Sequence, residues 1–115
     1  MSQQPGDLDL RMYQGATFRY VLTWLEDDVP KNLTGYTARM QVRETIDATS
    51  TILDIDTDDD ITLGGAAGTI TIEVAASDTA DITPGLYVYD LELVSGAVVT
   101  RLVEGAFMVS AEVTR

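Results

Sequence analysis

Hydrophobic residues recur at every second position over much of the chain. In "TFRYVLTWL", Phe18, Tyr20, Leu22 and Trp24 share one face while Thr17, Arg19, Val21 and Thr23 share the other, the period of a strand with one side on a core. "YTARMQVRE" repeats the pattern: Tyr36, Ala38, Met40 and Val42 alternate with Thr37, Arg39, Gln41 and Arg43. "GTITIEV" alternates through Ile70, Ile72 and Val74, and "GLYVYDLELV" sets Tyr87, Tyr89, Leu91 and Leu93 against Val88, Asp90 and Glu92. After "AVVTRLVE" comes "AFMVSAEVTR", where Phe107, Val109, Ala111 and Val113 alternate with Met108, Ser110, Glu112 and Thr114.

Punctuation between these runs comes from turn formers. "EDDVPKNLTG", residues 26 to 35, concentrates Asp, Pro, Asn and Gly, and "GGAAG" precedes the Ile70 strand, so each reads as a turn or loop. "TILDI" and "DITL" are short extended pieces around an acidic turn. "SDTADITPG" offers Ser77 as the N-cap of one helical turn, stopped by Pro84 and Gly85. "SG" at 95 and 96 predicts a tight hairpin turn, and Gly105 predicts a bulge or bend within a long strand. Short strands at roughly ten-residue spacing predict an antiparallel sandwich or barrel.

At 115 residues the chain suits one domain with a single core. Apolar residues make up 45% and charged ones 23%, the balance of a folded globular chain. Charge changes the picture more: 19 Asp and Glu face 7 Lys and Arg, a formal net charge of −12. That field repels phosphate backbones and anionic membrane surfaces, so neither nucleic acid nor membrane is an expected partner. Cysteine and histidine are both absent, which removes disulfides, thiol catalysis, and the commonest general base and metal ligand. "MSQQPGDLDLR" has neither the basic start nor the apolar run of a secretory signal, and no stretch approaches the ~20 apolar residues of a membrane span. A chain made in, and soluble in, a cytoplasm is expected.

Candidate chemistry is sparse. Asp54, Asp56 and Asp58 have the first, third and fifth places of a calcium loop, but Asp59 stands where that loop needs glycine and Gly65 where it needs glutamate. A solvated acidic turn is the expected reading, with a weak cation site as its alternative. Asp90 and Glu92 share a strand face as a hydrolytic pair would, although an outward polar face explains them as well. Gly64, Gly65 and Gly68 resemble a phosphate loop without its lysine or following helix. Tyr13, Tyr20, Trp24, Tyr36, Tyr87 and Tyr89 could line a sugar-binding surface, but most share faces with Leu and Phe and are expected in the core. Arg39 and Arg43 form a basic stripe that local carboxylates or an acidic partner would satisfy.

Three stretches together resemble a known family: "YQGATFRYVLTW" at 13 to 24, "NLTGYTARMQVRE" at 32 to 44 and "PGLYVYDLELVSGAVVTRLVEGAFMVSAEVTR" at 84 to 115. They are similar to small β-sandwich structural proteins of tailed bacteriophages and prophages, in pattern to the N-terminal domain of phage upper baseplate proteins. The resemblance runs from about Leu8 to Arg115. It implies an immunoglobulin-like module serving as adaptor or decoration in a virion, and it transfers no catalytic or ligand residue. In upper baseplate proteins a long segment follows this module toward the receptor-binding proteins, whereas here the chain stops at "EVTR". A stand-alone accessory role at head, neck or tail is the resulting expectation.

The expected fold is all-β, an antiparallel immunoglobulin-like β-sandwich of about seven to nine strands over residues 11–115. A flexible or strand-adding arm, residues 1–10, precedes it; "SQQPGDLDLRM" is a candidate to add to a neighbour's sheet edge, and Met108 to lie outside the core. The expected function is that of a non-enzymatic virion structural protein, made in a bacterial host's cytoplasm. It would contact other virion proteins and copies of itself, with no catalytic, cofactor-binding or metal residue and no cofactor. The rival expectation is a phage-encoded ligand-binding module, either glycan-binding through exposed Tyr and Trp or an acidic inhibitor of a host protein.

Overall fold

A computed structural model describes residues 6–113, and it is an all-β, immunoglobulin-like sandwich. In chain order the strands are β1 (Gly6–Asp7), β2 (Leu10–Tyr13), β3 (Phe18–Thr23), β4 (Leu25–Glu26), β5 (Val29–Pro30), β6 (Thr37–Arg43), β7 (Leu53–Asp56), β8 (Ile61–Leu63), β9 (Thr69–Val74), β10 (Gly85–Ser95) and β11 (Val98–Ser110). One short helix, α1 (Ala76–Thr79), precedes β10. The larger sheet runs β1-β11-β10-β6-β7 with β2 also on β11; the smaller runs β3-β9-β8, and β4 pairs with β5.

Period-two alternation places the core between the sheets. Ala38, Met40 and Val42 of β6, Tyr87, Tyr89, Leu91 and Leu93 of β10, and Ile70, Ile72 and Val74 of β9 are all buried, on the faces their spacing predicts. Phe107 sits at the centre, edge-on to Phe18 at 5.7 Å and to Tyr89 at 6.0 Å between ring centroids. Such T-shaped contacts add about 0.5–1.5 kcal/mol each beyond area burial. Two tyrosine hydroxyls bond to backbone carbonyls at the rim. Tyr87 donates to the Thr83 carbonyl at 2.5 Å, stapling the corner that enters β10, the tyrosine corner of immunoglobulin-like domains. Tyr89 donates to the Leu8 carbonyl at 2.5 Å.

Several local expectations need correction. The β10–β11 turn is Gly96–Ala97, one residue beyond the expected "SG", with Ser95 paired to Val98. Gly96 has φ +58°, which fits glycine at the first central position of a two-residue hairpin turn. The bulge is at Leu102, between the Leu91–Val103 and Glu92–Arg101 pairs, and it turns both Leu102 and Val103 toward the core. Gly105 instead allows close approach: a Cβ there would lie 2.4 Å from the Leu8 carbonyl oxygen. Ser77 lies inside α1, whose cap is Ala75 without a side-chain bond. The extended run predicted to reach Thr114 leaves the sheet after Ser110.

The expected arm of residues 1–10 is, over residues 6–10, part of the protein's own sheet, and residues 1–5 lie outside the described residues. β1 and β2 pair with β11 in parallel, Gly6 beside Val103 and Leu10 beside Phe107, an exception to the otherwise antiparallel pairing. Leu8, Leu10 and Met12 alternate inward, so burying them outweighs the freedom lost by ordering the segment. Thr79 is fully buried; its hydroxyl accepts from the Gly15 amide at 3.1 Å and donates to the Ala16 carbonyl at 2.9 Å. Nothing in the spacing of "SDTADITPG" marks this residue.

Candidate functional site

The outer face of the larger sheet holds a network of ion-paired side chains. Register sets it up: β6 and β10 place Arg39 opposite Glu92, Gln41 opposite Asp90 and Arg43 opposite Val88. β10 and β11 then place Glu104 opposite Asp90 and Arg101 opposite Glu92. Arg39 Nε reaches Glu92 Oε1 at 2.7 Å, and Arg101 lies 3.4 Å from both Asp90 and Glu104. Arg43 donates to Gln41 Oε1 and to the Ala48 carbonyl, each at 2.8 Å. The stripe expected from Arg39 and Arg43 therefore forms, but only Arg39 takes a carboxylate.

Between these side chains is a concavity of about 350 Å³ bordered by Asp7, Arg43, Ile46, Asp90, Arg101 and Glu104. Asp90 is the central group, and burial together with the Glu92 charge holds its carboxyl above the usual range, with Arg101 partly opposing the shift. Asp90 and Glu92 share the face as expected, yet each is engaged by an arginine. Partly exposed pairs of this kind contribute at most about 1 kcal/mol each, so the network shapes surface charge more than stability.

The other candidates separate in space. Asp54 and Asp56 point outward from β7, and Asp58 lies in the following turn, where its amide donates to Asp56 Oδ1 at 2.9 Å. Among the described residues, no three carboxylates gather as a cation site would need. Asp60 adopts φ +76° at the end of this turn, and burial plus its acidic neighbours raise its carboxyl above the ordinary range. Gly64, Gly65 and Gly68 bracket a single 3-10 turn, Gly65–Ala67, whose Gly65 carbonyl accepts the Leu33 amide.

The aromatic residues do not form one platform. Trp24, Tyr87 and Tyr89 are buried, Tyr20 and Tyr36 are half-buried, and Tyr13, 58% exposed, stands apart. Trp24 packs edge-on to Tyr36 at 5.9 Å with the Lys31 ammonium 5.4 Å from its ring. Burial, aided by nearby Tyr20 and Asp9, pushes the Tyr89 phenol far above its ordinary value, as suits a neutral donor to Leu8. Met108 is half-buried on the outer face, where Arg11 Nη2 meets its sulfur at 3.0 Å. Sequence reasoning missed Gln14, whose amide bridges the Ile82 carbonyl at 3.1 Å and the Glu112 amide at 3.2 Å; a lone Gln beside a glycine gives no signal of that role.

No family model matches the chain, and no curated protein matches it. Solved structures do, 95 chains of them, and a shared fold does not by itself select a function. Among them is a Bacteroides vulgatus protein described as a "putative glycoside hydrolase", with a TM-score of 0.53 and 12% sequence identity. The match covers 90% of this chain but 16% of that one. At such identity the likeness shows the sandwich fold alone.

Proposed function

We propose that the protein is a non-enzymatic structural component of a tailed-phage virion, acting through protein contacts as a tail, baseplate or neck adaptor or as a head decoration. The observation that carries the reading is the use made of the reactive side chains. Arg39, Arg101, Asp90, Glu92 and Glu104 are laid across neighbouring strands as ion pairs, and Tyr87 and Tyr89 fasten backbone at the rim. Side chains that could do chemistry are thereby taken up in contacts within the sandwich itself. The resemblance of residues 13–24, 32–44 and 84–115 to phage upper baseplate modules supports the same reading.

The test is density-gradient purification of particles from the strain that encodes the chain, followed by mass spectrometry. Co-migration with the particles at constant ratio to the major capsid protein is expected; confinement to the soluble fraction would refute the proposal. The rival reading, a ligand-binding module, is favoured by one observation, the concavity around Asp90 and Arg43. Specific glycan-array binding that Arg43→Ala abolishes would transfer the assignment to it.

A further inference from the structure

The smaller sheet has an open edge. β3 pairs with β9 on one side, and no strand among the described residues pairs with the other. Two hydrogen bonds fix which groups that edge presents. The Trp24 amide donates to Gly68 and the Glu73 amide to Asp60, so in the continuous registers Phe18–Val74 to Thr23–Thr69 and Ile61–Ile72 to Leu63–Ile70 the even residues of β3 bond to β9. Arg19, Val21 and Thr23 therefore direct their N–H and C=O groups outward, and all three residues are exposed.

Among the described residues, the other edges of the two main sheets carry devices that oppose pairing. β7 displays Asp54 and Asp56; β8 is three residues long and follows Asp58, Asp59 and Asp60; the β1–β2 edge is broken by Leu8 and Asp9 and carries Asp7. On a chain of net charge −12, those acidic edges repel copies of the same molecule. β3 has no proline, no lysine and no bulge, and its one charge, Arg19, lies 3.6 Å from Glu73 of its own sheet. From Leu10 to Leu25 the sequence contains no Asp or Glu. A second copy docking there meets no acidic repulsion from the segment itself.

We propose that β3 pairs antiparallel with β3 of a second copy about a twofold axis at Val21, joining the two smaller sheets into one of six strands. In this register Val21 faces Val21 and Arg19 faces Thr23, each a reciprocal hydrogen-bonded pair. No like charges fall opposite one another. Val21, 43% exposed in the single chain, gains an apolar cross-strand partner. The inference concerns this edge alone and does not depend on where the protein works.

The test is sedimentation equilibrium of the full chain, joined to amide hydrogen exchange at rising protein concentration. The account expects a species of twice the 12.5 kDa chain mass. It also expects concentration-dependent protection at Arg19, Val21 and Thr23, while Tyr20 and Leu22, already bonded to β9, exchange slowly throughout. Val21→Lys should weaken the dimer about tenfold by setting two ammonium groups opposite each other. Thr23→Glu, which faces Arg19 of the second copy twice over, should tighten it by about threefold or more; this variant reads the register even if Val21→Lys impairs folding. A single-chain mass at all concentrations, or a dimer whose Arg19, Val21 and Thr23 amides exchange freely, would overturn the proposal. Either result leaves particle association to its own test.

Discussion

Replacing Gly105 by alanine probes how the N-terminal segment is held. Gly105 is not in the left-handed region, so alanine strains no backbone angle, and by restricting the unfolded chain it would ordinarily stabilise by about 0.4–1 kcal/mol. The structure predicts the opposite sign. The added Cβ would stand 2.4 Å from the Leu8 carbonyl oxygen and 2.9 Å from Asp9 Oδ1, so residues 8 and 9 must withdraw by roughly 1 Å to reach ordinary contact. Three hydrogen bonds depend on their position: Leu8 N to Glu104 O at 2.9 Å, Ala106 N to Asp9 Oδ1 at 3.0 Å, and Tyr89 OH to Leu8 O at 2.5 Å. At about 1 kcal/mol net for each, their loss costs about 3 kcal/mol, or about 12 °C in Tm at this chain length. Thermal unfolding followed by circular dichroism gives the magnitude, and hydrogen exchange gives the place: Leu8 and Ala106 amides should accelerate, Val42 and Ile72 should not. A Tm equal to or above the wild type would refute the close-approach reasoning and return Gly105 to a merely flexible position.

Three further outcomes follow from the same geometry. Tyr87→Phe keeps the ring and loses the bond to Thr83; chemical denaturation should show about 1–2 kcal/mol lost, and an unchanged midpoint would remove the corner from the account. Asp27 and Asp28 both have positive φ, at 54° and 64°, in the two-residue β4–β5 turn; Asp28→Gly should stabilise by about 1 kcal/mol, and a fall in Tm would show that the aspartate does more than turn the chain. Asp90 sits above its ordinary pKa chiefly through burial, so the folded state holds that proton more tightly than the unfolded chain. The penalty is present at neutral pH and is relieved as pH falls through the folded pKa toward the unfolded one. Wild-type Tm should therefore gain more on mild acidification than that of Asp90→Asn, and parallel pH profiles would contradict this.

Much of the fold was legible because burial on one face imposes a period of two. Tyr87 to Leu93, Ile70 to Val74 and Ala38 to Val42 were readable without coordinates for that reason. Leu8, Leu10 and Met12 alternate too, but their spacing says only that a strand forms; the parallel docking on β11 depends on Tyr89 and Gly105, both far along the chain. The Leu102 bulge was hidden because an inserted residue shifts the alternation without altering composition. The outer-face network was half legible: Asp90 and Glu92 share a face by spacing, whereas the pairing of Arg39 with Glu92 and of Arg101 with Asp90 follows from strand register. The open edge of β3 is a property of sheet order, which no local pattern encodes.

The most direct test of the proposed virion role is a count of copies per particle, using isotope-labelled peptides of this chain and of the major capsid protein in gradient-purified virions. The account predicts a fixed copy number, a multiple of the symmetry of the site it occupies, unchanged by washing in high salt. Sub-stoichiometric traces that salt removes would contradict it.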